Sequence, residues 1–93
     1  IAGKGFCEVT ATWTQCPDVD FANYTLYRSE HPDVSQDTTI AVNLGTFTGV
    51  ADTVFADGAV AWETTYYYAL VTRNTGANYA WSNEEEITTY YTK

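Results

Sequence analysis

Methionine is absent from these 93 residues, proline and cysteine occur twice each, histidine once, and four lysines and arginines stand against twelve aspartates and glutamates. Each shortage excludes something. The formal net charge of −8 repels nucleic acid and anionic membrane surfaces at long range, so no nucleic-acid partner is expected. No apolar run approaches the roughly 20 residues needed to cross a bilayer, so membrane insertion is not expected either. The basic and apolar regions of a signal peptide are missing from the N-terminus. Because the chain opens at Ile1, the expectation is a processed protein or an excised module. With no Cys-x-x-Cys and only His31 to help, a zinc site is not expected.

Catalysis needs a nucleophile beside a base, or two carboxylates facing a cleft. Here the single histidine stands in the loop sequence Glu30-His31-Pro32-Asp33. Ser29, Ser35 and Ser82 have no motif around them, and no glycine loop suits a phosphate. Asp18, Asp20, Asp33 and Asp37 offer hard oxygen donors, but without the tight spacing of a calcium loop they read as solvated turn residues. No catalytic residue, cofactor or metal is expected.

What the chain has is aromatic mass, 16% of residues with eight Tyr and three Trp, carried on segments of two-residue period. Thr65-Tyr66-Tyr67-Tyr68-Ala69-Leu70-Val71-Thr72 is the clearest, with Tyr66, Tyr68 and Leu70 on one face and Tyr67, Ala69 and Val71 on the other. Cys7 to Gln15 alternates Val9, Ala11 and Trp13 against threonines, and Ala22 to Ser29 turns Tyr24 and Leu26 inward and Asn23, Thr25 and Tyr27 outward. Short β-rich runs follow over Thr39 to Leu44, Gly45 to Val50 and Asp52 to Phe55. Asp57-Gly58 reads as a turn dipeptide, and a last strand spans about Trp81 to Tyr90. Six or seven short strands broken by turns predict one all-β Greek-key sandwich over residues 1–93. Val60 through Tyr66 reads as a corner in which a tyrosine hydroxyl ties strand to upstream backbone. The expected core is Trp13, Tyr24, Leu26, Val60, Tyr66, Tyr68, Leu70 and Ile87.

Several residues are candidates for roles beyond packing. Cys7 and Cys16 are a candidate disulfide, yet on one extended strand nine steps of ~3.3 Å would part them by ~30 Å, against ~7 Å for bridged Cα atoms. Free thiols, a bent strand that lets them meet, and pairing with cysteines elsewhere all stay open. Asn23-Tyr24-Thr25 fits a glycosylation acceptor, with Asn23 expected to face out. Tyr79, Trp81, Tyr90 and Tyr91 exceed what one small core buries and are candidates for an interaction surface. Within Glu84-Glu85-Glu86, Glu85 shares the side of Ile87 and would discourage edge pairing.

Val9-Thr10-Ala11-Thr12-Trp13, Tyr24-Thr25-Leu26-Tyr27-Arg28-Ser29, Val60 through Tyr66, Tyr66 to Asn74 with Gly76, and Ser82-Asn83 with Ile87-Thr88-Thr89 together resemble a fibronectin type III domain of extracellular bacterial and archaeal type. The resemblance implies an immunoglobulin-like sandwich at a cell surface or outside the cell, without catalysis or cofactor. It implies work in adhesion, spacing or assembly, with a protein partner or self-assembly, or alternatively a carbohydrate-associated accessory role beside a secreted glycoside hydrolase. Two departures stand out. Trp62-Glu63 replaces the usual Pro-Gly of the corner. Ahead of Cys7 only Ile1-Ala2-Gly3-Lys4-Gly5-Phe6 remains for a first strand, and two glycines in six make a poor one. The first strand is therefore expected to be short or missing, which would leave the neighbouring edge open to a strand from another chain.

Overall fold

Alternating side chains become two antiparallel sheets. The computed structural model describes residues 2–5, 9–17, 19–36, 38–58, 60–61, 63–76 and 78–89. Its strands are β1 (Ala2–Gly5), β2 (Val9–Thr12), β3 (Phe21–Ser29), β4 (Val42–Phe47), β5 (Val54–Asp57), β6 (Thr65–Asn74), β7 (Tyr79–Trp81) and β8 (Glu85–Thr88), with a 3₁₀ turn, Thr38–Ile40, ahead of β4. One sheet runs β1-β2-β5, the other β4-β3-β6 with β7 and β8 both beyond β6. β7 pairs Val71 to Arg73 and β8 pairs Thr65 to Tyr68, so the two are halves of one interrupted strand. Seven strand positions result, the all-β sandwich that the alternation predicts.

The interruption has a local cause. Ser82 donates its amide to the Leu70 carbonyl and accepts the Leu70 amide on Oγ, which satisfies β6 while Asn83 and Glu84 leave the ladder. The last strand therefore does not run unbroken from Trp81 to Tyr90. Gly45 does not divide two runs either, because β4 passes through it with a register shift opposite Leu26 and Tyr27. The first strand is short but present. Ala2 pairs Thr12 and Gly5 pairs Val9, so backbone pairing succeeds despite the glycines, and the edge of β2 expected to lie open is occupied by β1.

Between the sheets lie Val9, Ala11 and Trp13 from one side and Tyr24, Leu26, Tyr66, Tyr68, Leu70 and Ile87 from the other, with Val60 packed at the margin. Trp13 meets Tyr24 edge-on at 5.8 Å between centroids and Phe47 at the same distance. Polar side chains then fasten the strands to each other. Tyr24 accepts the Cys16 amide and donates to the Val50 carbonyl, both at 2.8 Å, which joins two connections at one end of the sandwich. At the other end Tyr66 Oη accepts the Ala61 amide at 2.8 Å, the corner expected from Val60 to Tyr66. Glu63 there holds φ of 53°, the left-handed backbone that a glycine adopts freely and a β-carbon resists.

Asp57 is no turn residue. It ends β5 pointing inward, 3% exposed, because it stands in register with Val9. Arg28 of β3 and Tyr68 of β6 both donate to its Oδ2, at 2.7 and 2.8 Å. The carboxylate thus joins the two sheets. Arg28 also lies 5.3 Å from the centroid of the Tyr66 ring. Burial works against the arginine's charge, but its hydrogen bond and Coulomb attraction to Asp57 outweigh it and hold the guanidinium above its ordinary value. Burial first, and then the bond to Asp57, push the Tyr68 phenol well above the ordinary tyrosine range.

A phenol whose folded pKa lies above the unfolded value of about 10 contributes stability that is complete below about pH 10 and lost as pH rises beyond it. The midpoint of urea unfolding is therefore expected to fall above about pH 10, by up to ~1.4 kcal/mol per pH unit from this group, and Tyr68→Phe is expected to remove that part of the slope. At neutral pH, Asp57→Asn is expected to cost about 2 to 4 kcal/mol, because it takes the counter-charge from a mostly buried arginine. Arg28→Met combined with Asp57→Leu is expected to recover much of that loss in the same measurement. Glu63→Gly is expected to add about 0.5 to 1 kcal/mol by relieving the left-handed backbone. An unchanged or lower midpoint in Glu63→Gly would contradict the corner geometry.

Candidate functional site

On the outer face of the five-stranded sheet a period of two predicts solvated side chains. Instead Ala69 and Val71 are buried, as are their inward neighbours Tyr68 and Leu70. Register explains what surrounds them. Tyr27 stands opposite Ala69, Thr25 opposite Val71, and Val71 opposite Trp81. The Tyr27 and Trp81 rings meet at 5.7 Å with planes tilted by 41°. Thr25, expected to face out, is 2% exposed, accepting from Arg73 at 2.9 Å and sharing a hydroxyl pair with Thr46 at 3.3 Å.

The connection between β3 and β4 completes the cover. Glu84, released from the ladder by the Ser82 break, accepts the amide of Val34 on Oε1 at 2.7 Å and that of Asp33 on Oε2 at 3.1 Å. Two charge-assisted bonds across 50 and 51 residues of chain pin this connection to the far edge of the sheet. Asp33 adopts φ of 64°, a conformation aspartate tolerates better than most residues, and it turns its amide toward the same carboxylate. Val34 is 1% exposed. The described residues Glu30 to Gln36 thus form a covering strap, and Ser35 within it and Thr38 just ahead of β4 end up beside Tyr27, Trp81 and Arg73.

Between strap and sheet runs a groove of about 330 Å³. The packed Tyr27 and Trp81 pair lines it together with Val71, Arg73 and Tyr79. Tyr79 is 68% exposed. Such a groove joins large rigid rings to a multidentate donor and two hydroxyls, the composition of surfaces that bind rather than react.

The remaining candidates are scattered. Tyr90, Tyr91, Cys7, Asp18 and Asp37 lie outside the described residues. Cys16 carries a free thiol and packs at the margin of the core. Asn23 is half-buried, beside the register shift of β3 between Phe21 and Asn23, and its Oδ1 is shielded without a hydrogen-bond partner. His31 is exposed, and its link to Ser29 runs from the backbone amide to Oγ, leaving the imidazole uninvolved. Among the described residues no group of three or more His, Cys, Asp or Glu is placed to hold a metal.

Comparison with solved structures places the fold. A Fn3-like protein from Clostridium thermocellum superposes over 99% of this chain and 92% of its own, with a TM-score of 0.69 and 17% identity. Two crystal structures of a pectate lyase from Pectobacterium carotovorum match 89% of this chain at TM-scores of 0.69 and 0.73, with 17% and 16% identity. The chain spans 24% of the length of those lyase chains. The fold is therefore that of a fibronectin type III-like domain. No protein-family model matches the chain, and no curated protein matches it.

The strap depends on Glu84. Replacing it with alanine is expected to speed hydrogen exchange of the Asp33 and Val34 amides by roughly ten- to a hundred-fold, the value of losing charge-assisted bonds of about 1.5 to 3 kcal/mol. Amides of Tyr68 and Leu70 in β6 are expected to keep their protection. Uniform acceleration across the sheet would show that Glu84 supports the whole domain and not the strap.

Proposed function

We propose that this chain is a non-catalytic module of an extracellular or cell-surface protein that works by surface contact, in adhesion, spacing or assembly. The observation that carries this reading is the groove on the outer face of the five-stranded sheet. A sheet serving only as a scaffold has no need of an exposed tyrosine beside a tilted Tyr27 and Trp81 pair and an arginine, and Tyr, Trp and Arg are the residues that dominate binding energy at contact surfaces. Assembly by strand addition at β2 loses its support, since β1 fills that edge. Contact through a face replaces contact through an edge.

A second reading, an accessory role beside a secreted carbohydrate-active enzyme, is favoured by the mixture of rings and hydroxyls in the same groove. Cosedimentation of the purified chain with insoluble cell-wall material, together with sedimentation equilibrium over a range of concentrations, tests the contact role. Pelleting or self-association that Tyr79→Ser reduces and Val54→Ser leaves intact is expected, because Val54 is exposed on the other sheet. A chain that stays monomeric and remains in the supernatant throughout would end this reading.

A further inference from the structure

We infer that the outer-face groove is a binding site for a neutral glycan chain, an assignment that rests on reading this face as the contact surface and that names its ligand. Size, charge and chemistry converge on it. At about 330 Å³ the groove stands at the small end of ligand clefts, wide enough for a small cyclic unit and too small for a folded partner's anchor cluster. Its described charge is the single cation Arg73, within a chain of net charge −8. A polyanion is repelled by the molecule as a whole. A cationic peptide meets a cation of like sign at the groove itself.

A neutral ligand remains, and the lining specifies which kind. Tyr27 and Trp81 offer ring faces with negative quadrupoles, which attract the partly positive C–H groups on the flat side of a pyranose as they attract cations. Equatorial hydroxyls at the sugar's rim both donate and accept. Arg73 has five donors in a fixed fork, of which one is committed to Thr25 Oγ1, and Ser35 and Thr38 can donate or accept as needed. A purely apolar segment would bury these groups without partners, at a cost of about 1 to 3 kcal/mol each. A sugar satisfies them. Tyr79, two residues before Trp81 on β7 and on the same face as Arg73 by direct pairing, is positioned to cover a second sugar unit of the same chain.

Affinity electrophoresis of the intact chain in native gels containing hydroxyethylcellulose, mixed-linkage β-glucan, galactomannan or polygalacturonate tests the assignment. Retardation by at least one of the three neutral polymers, and none by polygalacturonate, is expected. Trp81→Ala is expected to abolish it. Tyr79→Ala, which alters an exposed side chain and leaves the fold intact, is expected to weaken it roughly five- to ten-fold. Migration unaffected by every neutral polymer, retardation by polygalacturonate alone, or retardation that survives both substitutions would overturn the glycan assignment. Those outcomes leave cosedimentation and self-association, the tests of the broader contact role, standing on their own results.

Discussion

One central strand must be covered on both faces. β6 places Tyr68, Ala69, Leu70 and Val71 in succession, all buried, so the five-stranded sheet needs a lid on each side. The three-stranded sheet supplies the inner one through ordinary apolar packing. For the outer face nothing in a two-layer sandwich is available, and this chain uses its β3–β4 connection. Ordering that connection costs backbone entropy of about 1 to 2 kcal/mol per residue, which a few short apolar contacts do not offset. The Glu84 carboxylate, accepting two consecutive amides, adds two charge-assisted bonds to them. Without the Ser82 break it would sit in the ladder and reach neither.

The same economy recurs elsewhere. A domain of this size buries a modest share of its surface, and polar side chains aimed at the backbone or across the sheets supplement the core. Tyr66 fastens the corner, Tyr24 joins two connections, and Asp57 collects Arg28 and Tyr68. Each is a buried polar group with its partners in place. Among the described residues, Trp13 Nε1 and Asn23 Oδ1 are shielded without hydrogen bonds, at a cost of about 1 to 3 kcal/mol apiece.

Period and spacing carried most of the architecture. Strand alternation placed Trp13, Tyr24, Leu26, Tyr66, Tyr68, Leu70 and Ile87 between the sheets, and the distance from Val60 to Tyr66 located the corner. What the sequence concealed were interactions between distant segments. Asp57 beside Gly58 looks like a turn because the local signal is genuine, and only the register against Val9 turns it inward. Glu84 in a run of three glutamates looks like a solvated charge until Ser82 is seen to break the strand before it. A loop of polar residues hides the burial of Val34. Arg28 carried a signal that could have been used: it shares parity with Tyr24 and Leu26, and an inward arginine requires an acidic partner on the opposite sheet. For the candidate site, Tyr79 and Trp81 were legible as aromatics in excess, whereas the groove they belong to depends on the strap and was not.

The fold is shared with the Fn3-like protein of Clostridium thermocellum. The strap held by Glu84 turns one side of a plain sheet into a lined groove, the face proposed to do the binding. An amide chemical-shift map of the chain, recorded while short neutral β-glucan and mannan oligosaccharides are added, tests this most directly. Shifts gathered on Val71, Arg73, Tyr79, Trp81 and the segment from Val34 to Thr38 are the predicted result. Shifts confined to β1 and β5, or none for any oligosaccharide, would contradict it.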